Sequence, residues 1–154
     1  MAGHKDPPEP LEVALRALNR REHSIAEIEA KLDERGFGRE EIEETVGELV
    51  LSHALDDGRF ARAFAADKRD LSGWGPERIG GELAKRGVSE ELIAECCGTE
   101  DREQLIERAS EALLERGDTL EDDRGRSRAL GFLTRRGYEY EIAYDAIRAA
   151  SRAG

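Results

Sequence analysis

Apolar residues recur along this chain at intervals of three and four positions, which places them on one face of an α-helix. Ile25, Ile28 and Leu32 show this spacing in the first third of the chain, and Ile79 with Leu83 repeats it in the middle. No segment alternates apolar and polar residues in the way that a half-buried β-strand requires. The pattern therefore predicts an all-α protein.

A nine-residue pattern, Leu-x-x-Arg-Gly-apolar-x-x-Glu, occurs three times, and its glycines lie 51 and 50 positions apart. In each copy a helix ends at the glycine, which adopts the left-handed conformation, and a second helix follows the turn. The three copies consist of Leu32, Arg35, Gly36, Phe37 and Glu40; Leu83, Arg86, Gly87, Val88 and Glu91; and Leu133, Arg136, Gly137, Tyr138 and Glu141. This regular spacing indicates a repeat architecture.

One further apolar segment precedes each helix pair, at residues 11–21, 57–71 and 101–116. The chain is therefore predicted to form three tandem three-helix repeats, which stack into an elongated, curved helical array. The predicted divisions are a disordered N-terminal tail at residues 1–10 and repeats at residues 11–55, 56–98 and 99–154.

Several residues are predicted to have structural roles. Ser24 and Glu27 have the spacing of a capping box at a helix start. The adjacent carboxylates of Asp56 and Asp57 suggest either a metal or acid–base pair or a helix cap. Adjacent residues project in different directions, and no third ligand lies at helical spacing, so we predict that Asp57 is an N-cap. The structural set is Gly36, Gly87, Gly137, Asp57 and Ser24.

The chain is strongly acidic, with 35 acidic and 24 basic residues and a formal net charge of −11. Such a charge favours solubility and opposes non-specific attraction to nucleic acid or anionic lipid. A local basic face can persist on an acidic protein. Because residues 11–55 are the most acidic third, we expect such a face in the later two thirds.

Other features limit the class of protein. Cys96 and Cys97 are neighbours and cannot easily form a disulfide with each other. The first ten residues lack the apolar core of a signal peptide, and no apolar run is long enough to span a membrane. We therefore expect a cytoplasmic protein that acts as a monomer. Since no nucleophile–base pair, metal-ligand set or nucleotide-binding motif occurs, we predict no enzymatic activity, no metal and no cofactor.

The middle of the chain contains an ordered series of short motifs. The run 56–61 reads Asp-Asp-Gly-Arg-Phe-Ala and is followed by Gly75–Pro76, Arg78–Ile79, Glu82–Leu83 and Arg86–Gly87–Val88. In order and spacing the series resembles the middle repeat of the RecX family, bacterial regulators of the RecA recombinase. The segment from Ser24 to Phe37 resembles the first repeat of that family. The resemblance extends over nearly the whole chain after residue 10.

This resemblance implies a regulatory protein that binds in the groove of the RecA–DNA filament. Such a protein is expected mostly to inhibit the recombinase, ATPase and co-protease activities of RecA, and so to act in DNA repair, recombination and the SOS response. The expected partner is the RecA filament. The net negative charge argues against tight binding of this chain to DNA alone.

Two groups of basic residues are candidates for contacting a partner. Arginine and lysine runs are more often solvated faces, and Arg35, Arg86 and Arg136 also suit the negative ends of helices. Trp74 is expected to pack at the junction before Pro76, with a partner contact as the alternative. The predicted partner-binding group is Arg59, Arg62, Lys68, Arg69, Arg78, Lys85 and Arg86. A secondary basic cluster consists of Arg124, Arg126, Arg128, Arg135 and Arg136.

Two alternative functions remain open. The first is a nucleic-acid-binding helical repeat that acts without RecA, which predicts tight and strongly salt-dependent DNA binding. The second is a general protein-interaction scaffold of the same architecture, which predicts no effect on the recombinase.

Overall fold

The computed structural model describes residues 6–153, which form nine α-helices and contain no β-strand. The helices are α1 (Pro10–Arg20), α2 (Ile25–Glu34), α3 (Arg39–Leu51), α4 (Asp57–Asp70), α5 (Pro76–Lys85), α6 (Glu90–Cys97), α7 (Arg102–Arg116), α8 (Asp123–Arg136) and α9 (Tyr140–Ala153). The all-α prediction is therefore confirmed. Of the predicted tail, residues 1–5 lie outside the described residues, and residues 6–9 have no regular secondary structure. Residue 154, the last of the predicted third repeat, also lies outside them.

The three repeated glycines occupy the turns that the sequence predicts. Gly36, Gly87 and Gly137 have φ values of 87°, 81° and 103°, in the left-handed region that a residue with a side chain rarely adopts. They follow α2, α5 and α8, and each separates that helix from the next one along the chain. The helix–turn–helix reading of the nine-residue pattern is therefore confirmed in all three copies.

The predicted helix caps are confirmed at one position and displaced by one residue at another. Ser24 Oγ accepts the backbone N–H of Glu27 at 3.1 Å, and the Glu27 carboxylate accepts the N–H of Ser24 at 2.9 Å. The N-cap prediction for Asp57 is wrong, because α4 begins at Asp57 and its cap is Asp56, whose Oδ1 accepts the N–H of Arg59 at 3.0 Å. Either of two adjacent aspartates suits an N-cap, and the sequence alone does not distinguish them.

The chain divides into two compact units. The first unit comprises the chain up to Phe60 together with Arg86–Val88, and the second comprises Ala61–Lys85 and the chain from Ser89 onwards. In the first unit α1, α2 and α3 pack against one another. Their core contains Val13, Ala14, Ala17, Ile28, Leu32, Ile42, Leu49 and Leu55.

In the second unit α9 packs against both α7 and α8, and α5 packs against α6. The core around α9 contains Ala109, Leu113, Ala129, Leu133, Tyr138, Ile142, Ala143, Ala146, Ile147 and Ala150. Ala129 occupies the position in the repeat that Ile28 and Ile79 hold, and all three side chains are buried. The division of the chain into three repeats with the boundaries given above stays a prediction.

Candidate partner-binding surfaces

The turn of the second repeat packs against the start of α2 within the first unit. Ser24 Oγ–H donates to the backbone carbonyl of Arg86 at 2.6 Å, and Ser24 is completely buried. A Cβ atom added at Gly87 would lie 2.3 Å from Ala26 Cβ, a separation that real Cβ atoms essentially never show. Glycine at this position is therefore required by close contact as well as by its backbone conformation.

The side chain of Asp57 supports the same helix start. Asp57 Oδ1 accepts the N–H of Ile25, the first residue of α2, at 2.8 Å. A carboxylate at this position satisfies a backbone N–H that has no partner within its own helix and complements the positive end of the helix dipole. Asp57 thus has a structural role, but at the start of α2.

The turn of the third repeat packs in a comparable way against the start of α5 within the second unit. Gly75 N–H donates to the carbonyl of Arg136 at 2.8 Å, and Glu77 N–H donates to the carbonyl of Gly137 at 3.0 Å. A Cβ atom at Gly75 would lie 2.5 Å from the Gly137 carbonyl oxygen, and one at Gly137 would lie 2.4 Å from Arg78 Cβ. Two glycines therefore permit this contact.

The loop between α4 and α5 is held by side chains from α7, from α8 and from the turn after α8. Arg136 Nη1 donates to the carbonyl of Ser72 at 2.7 Å, and Tyr138 Oη donates to that of Gly73 at 3.1 Å. Arg108 Nη2 donates to the carbonyl of Trp74 at 3.1 Å. Three consecutive carbonyl groups thus have side-chain donors.

A small charged network adjoins this loop. Arg108 donates to both oxygens of Glu100, at 2.5 and 2.7 Å, and Arg69 lies 3.3 Å from the same carboxylate. Burial opposes the charge of Arg108, but the hydrogen bonds to Glu100 raise its pKa above the ordinary value. Arg69 Nη2 also donates to the carbonyl of Cys96 at 3.0 Å. Arg69, a predicted partner contact, is therefore half-buried and internally bonded.

Arg59 is similarly engaged within the first unit. Its guanidinium donates to both carboxylate oxygens of Glu22, at 3.0 and 3.2 Å. It also donates to the carbonyls of His53 and Ala54, at 2.8 and 3.2 Å. This arrangement links the loop after α3 to the segment before α2, and it leaves Arg59 with little capacity for a partner.

The other five residues of the predicted partner-binding group have varied surroundings. Lys68 and Arg78 lie over the ring of Trp74, with Nζ at 4.9 Å and Cζ at 4.0 Å from its centroid. Trp74 also meets the edge of Phe64, which agrees with its predicted packing role. Of the remaining three residues, Arg62 is exposed and Arg86 is half-buried. Lys85 pairs with Glu82. Arg59 and Arg86 belong to the first unit and the other five belong to the second.

The secondary basic cluster divides into structural and exposed residues. Arg126 pairs with Asp123 and donates to the carbonyls of Leu120 and Glu121, so it closes the loop before α8. Arg136 is bound to Ser72 as described above. Arg124, Arg128 and Arg135 are exposed, and their spacing of four and seven positions places them along one face of α8. Their partner-binding role stays a prediction.

A cationic cleft lies between α1 and α2, in the third of the sequence with the most negative charge. It is a cavity of about 170 Å³. The lining residues are Val13, Arg16, Ala17, Arg20, Lys31, Glu34 and Arg35. Four of these seven side chains are basic and one is acidic, so the cleft suits a negatively charged group. The expectation of a basic face in the later two thirds did not include this cleft.

A second groove lies between α8 and α9 and combines aromatic and basic side chains. Tyr140 and Tyr144 are 61% and 51% exposed, and their rings stack with centroids 6.4 Å apart. Arg148 lies 6.0 Å from the Tyr144 ring, and Arg126 and Arg152 also line this cavity of about 480 Å³. Exposed aromatic rings beside arginines are suited to stacking on planar ligands.

Comparison with known proteins identifies the family of the chain. A family model for the first three-helix domain of RecX matches residues 11–49, and one for the second three-helix domain matches residues 56–96. A regulatory protein RecX of Thermus thermophilus is 37% identical over 146 residues, which cover 95% of each chain. Another from Halorhodospira halophila is 37% identical over 145 residues, covering 92% of this chain and 86% of that protein.

The chain belongs to the RecX family. The crystal structure of RecX from Lactobacillus salivarius has a TM-score of 0.80 with this chain at 20% identity, and the match covers 93% of this chain and 95% of that one. At this level of identity the likeness concerns the fold. The two RecX domain models include the turns of Gly36 and Gly87, whereas the turn of Gly137 lies beyond them.

Within residues 6–153, no three histidine, cysteine, aspartate or glutamate side chains are grouped so that they could hold a metal ion. None of the helices formed by those residues is long and apolar enough to cross a membrane.

Burial raises the pKa values of Cys96 and Cys97, which favours their protonated and less reactive thiol forms.

Proposed function

We propose that this chain regulates the RecA recombinase by binding in the groove of the RecA–DNA filament and restraining its activities. The observation that carries the proposal is the 37% identity to a regulatory protein RecX over 95% of both chains. Because the match covers nearly the whole of both proteins, we infer the regulatory role for this chain. The ATPase, strand-exchange and co-protease activities of RecA are the proposed targets.

The distribution of charge supports a role on a protein filament. A net charge of −11 opposes attraction to bare DNA. Local groups of arginine and lysine at the α1–α2 cleft and along α8 can still contact acidic groups on a protein. Such a surface recognises a specific partner without being drawn to nucleic acid in general.

A second candidate function is direct binding of single-stranded nucleic acid by the α8–α9 groove. The specific observation in its favour is the exposed, stacked pair of Tyr140 and Tyr144 with Arg126, Arg148 and Arg152 around it. Bases stack on aromatic rings while arginines contact phosphates, and this combination is typical of proteins that bind single strands without sequence preference.

A titration of the protein into RecA that is hydrolysing ATP on single-stranded DNA tests the first proposal. We expect turnover to fall when the protein is well below one copy per RecA subunit, because one bound regulator affects a run of filament subunits. Binding of the protein to the same DNA without RecA is measured in parallel by fluorescence anisotropy. Unchanged turnover at saturating protein, with no association with the filament, would remove this function.

The parallel DNA measurement separates the two candidates. Tight binding to DNA alone, with an affinity that falls steeply as salt rises, would instead support the nucleic-acid function. In that case any loss of ATP turnover should disappear when the DNA is in large excess, because the protein would act only by competing for DNA.

A further inference from the structure

The three copies of the Arg-Gly turn differ in what they contact. In the two later copies, the carbonyl of the arginine accepts a hydrogen bond from the residue at a neighbouring helix start. Ser24 Oγ–H donates to the carbonyl of Arg86, and Gly75 N–H donates to that of Arg136. In both, a Cβ atom on the glycine of the turn would overlap the neighbouring helix start, at 2.3 and 2.4 Å.

The turn of the first repeat has the same sequence pattern and backbone conformation but is open. Gly36 has a φ of 87°, and a Cβ atom added there would meet nothing within 4 Å. Arg35 and Gly36 are both exposed. The first repeat therefore presents, at its surface, the feature that the later two repeats use to bind a helix start.

The occupied turns, at Gly87 and Gly137, indicate which kind of helix start would fit the open turn at Gly36. Each occupant is the start of an α-helix with a small residue at the contact, Ser24 and Ala26 in one case and Gly75 in the other. Both occupant helices carry a glutamate in their first turn, Glu27 in α2 and Glu77 in α5. The occupant of the open turn is therefore expected to be a helix start with small residues at the contact. Glu27 is bonded to Ser24 and Arg21, so the acidic first turn of the expected occupant follows from the cations of the α1–α2 cleft.

The charge beside the open turn fits this occupant. Arg35 belongs both to the turn and to the lining of the α1–α2 cleft, where Arg16, Arg20 and Lys31 add positive charge. Two carboxylates offset part of this charge: Glu34 also lines the cleft, and Glu12 pairs with Arg16 at 2.8 Å. An acidic side chain in the first turn of a docked helix would have these cations as partners.

A second copy of this chain cannot supply a helix start equivalent to those of α2 and α5. The starts of α2 and α5 are already covered by the turns at Gly87 and Gly137. The start of α8 is covered by its own preceding loop, since a Cβ atom at Gly125 would collide with the carbonyl oxygen of Thr119. The three helix starts at the equivalent position of the repeated pattern are therefore filled within the chain, so a second copy offers no equivalent helix start, and we assign the occupant to a different protein.

We propose that the Arg35–Gly36–Phe37 turn is a docking site for the start of a partner protein's helix, bound as α2 and α5 are bound at the later turns. The partner is a subunit of the recombinase filament, so this inference rests on the proposed function. The contact places a helix start with small residues against Gly36 and its acidic first turn in the cationic cleft.

The substitution Gly36→Asn tests the docking site, with Gly117→Asn as its matched control. Both glycines have left-handed φ values, 87° and 76°, and neither would bring a Cβ atom within 4 Å of another group. Asparagine tolerates this conformation, so both full-length variants should fold alike. Affinity for RecA filaments assembled on single-stranded DNA is measured by biolayer interferometry, with thermal unfolding as the check on folding.

We expect Gly36→Asn to weaken filament binding about tenfold, because the added side chain overpacks the contact. Gly117→Asn should remain within about twofold of the wild type. Equal affinities of the two variants would overturn the docking site and leave the proposed function standing. Failure of the wild type to bind the filament would overturn both. An equal loss of affinity for bare DNA would assign the turn to nucleic acid and so also overturn the proposal.

A second pair of variants makes the test independent of the glycine. Lys31→Glu reverses one charge of the cleft, and Arg39→Glu reverses an exposed charge on α3 that does not line it. We expect Lys31→Glu to weaken filament binding more than Arg39→Glu, and the difference to diminish as salt rises. Equal effects at low salt would contradict an acidic occupant in the cleft.

Discussion

The two occupied turns achieve the same contact by different chemistry. At the turn of Gly87 the neighbouring helix start is held by side chains, the hydroxyl of Ser24 and the carboxylate of Asp57. At the turn of Gly137 the bonds to the start of α5, at Gly75 and Glu77, are between backbone groups, and the glycines bring the chains together. The side chains of Arg136 and Tyr138 hold the loop before that helix start. The repeated pattern therefore specifies the turn, while the neighbouring helix start determines how the turn is bound.

The two contacts should therefore differ in how much a single substitution lowers the free energy of unfolding. Hydrogen bonds to side chains can be removed one at a time, and each loss has a moderate effect on the free energy of unfolding. A contact between two backbones leaves no space for an added methyl group, so one substitution can separate the surfaces. Both turns contain a closely packed glycine, but only the turn of Gly137 also meets a glycine, Gly75, at the neighbouring helix start. A substitution at Gly75 should therefore be more destabilising than one at Ser24.

The largest effect is expected for Gly75→Ala in the second unit. Its Cβ atom would lie 2.5 Å from the Gly137 carbonyl oxygen, and backbone atoms cannot rotate away as a flexible side chain can. We expect the free energy of unfolding to fall by about 3 kcal/mol, the upper part of the usual range for overpacking. Urea denaturation followed by circular dichroism measures the change, and hydrogen exchange locates it.

Gly81→Ala is the control for this substitution. Gly81 lies on the exposed side of the same helix, α5, and a Cβ atom there meets nothing within 4 Å. Alanine should stabilise the helix by up to about 1 kcal/mol, because glycine is a poor helix former. If the two variants had the same stability, the close contact at Gly75 would not be a determinant of folding.

An intermediate effect is expected for Ser24→Ala in the first unit. The substitution removes the helix cap, which costs about 1 kcal/mol, and leaves the carbonyl of Arg86 without its donor, which costs about as much again. Ser89→Ala removes only a cap, since Ser89 Oγ accepts the N–H of Leu92 at an exposed helix start. We therefore expect Ser24→Ala to lower the unfolding free energy about twice as much as Ser89→Ala does.

The same urea denaturation distinguishes these two serines. Equal losses for Ser24→Ala and Ser89→Ala would mean that the hydrogen bond to Arg86 adds nothing to the cap. A loss for Ser24→Ala as large as that for Gly75→Ala would contradict the difference in sensitivity between the two contacts.

Much of the fold follows from local features of the sequence. Helical spacing of apolar residues predicts the helices, and the Arg-Gly pattern predicts the three left-handed turns, because both depend on residues close together in the chain. The N-cap at Asp57 was misplaced by one residue because its carboxylate bonds to Ile25, 32 positions away. No local pattern contains that information.

The candidate surfaces could be predicted only in part. Runs of basic residues identify charge, but Arg59 and Arg69 are engaged by Glu22 and Glu100, which are distant in the sequence. The α1–α2 cleft was missed because its four cations come from α1, from α2 and from the residue after α2, all in an acidic segment, and only packing brings them together. The spacing of four positions between Lys31, in α2, and Arg35, directly after it, is the signal that could have indicated the cleft.

The smallest expected effect concerns pH and again separates the two units. All three histidines of the chain precede residue 61, so the second unit has none. His23 is 3% exposed and its Nδ1 lies 2.9 Å from the carbonyl of Arg21. Burial lowers the pKa of His23, and the charge of Arg21 lowers it further.

The direction of the pH effect follows from that lowered pKa. As pH falls below the ordinary histidine value of about 6.5, the unfolded chain gains a proton that folded His23 resists, so the first unit loses stability. Below the lowered pKa both states are protonated and the loss stops. Burial opposes the charge of Glu27, but the hydrogen bonds from Arg21 and Ser24 lower its pKa, so its contribution is lost only in more acid solution.

We therefore expect the free energy of unfolding of the first unit to fall as the pH is lowered from about 7.5 to about 5.5, a range that extends about one pH unit either side of the ordinary histidine pKa. The second unit should change less over this range. Hydrogen exchange at a series of pH values, corrected for the intrinsic rate, measures each unit separately. His23→Gln should abolish the loss, whereas His53→Gln, at an exposed histidine of the same unit, should retain it. If His23→Gln retained the full loss of stability, burial of this imidazole would not control the pH response. The contact at the Gly87 turn would then be no more sensitive to acid than the contact at the Gly137 turn.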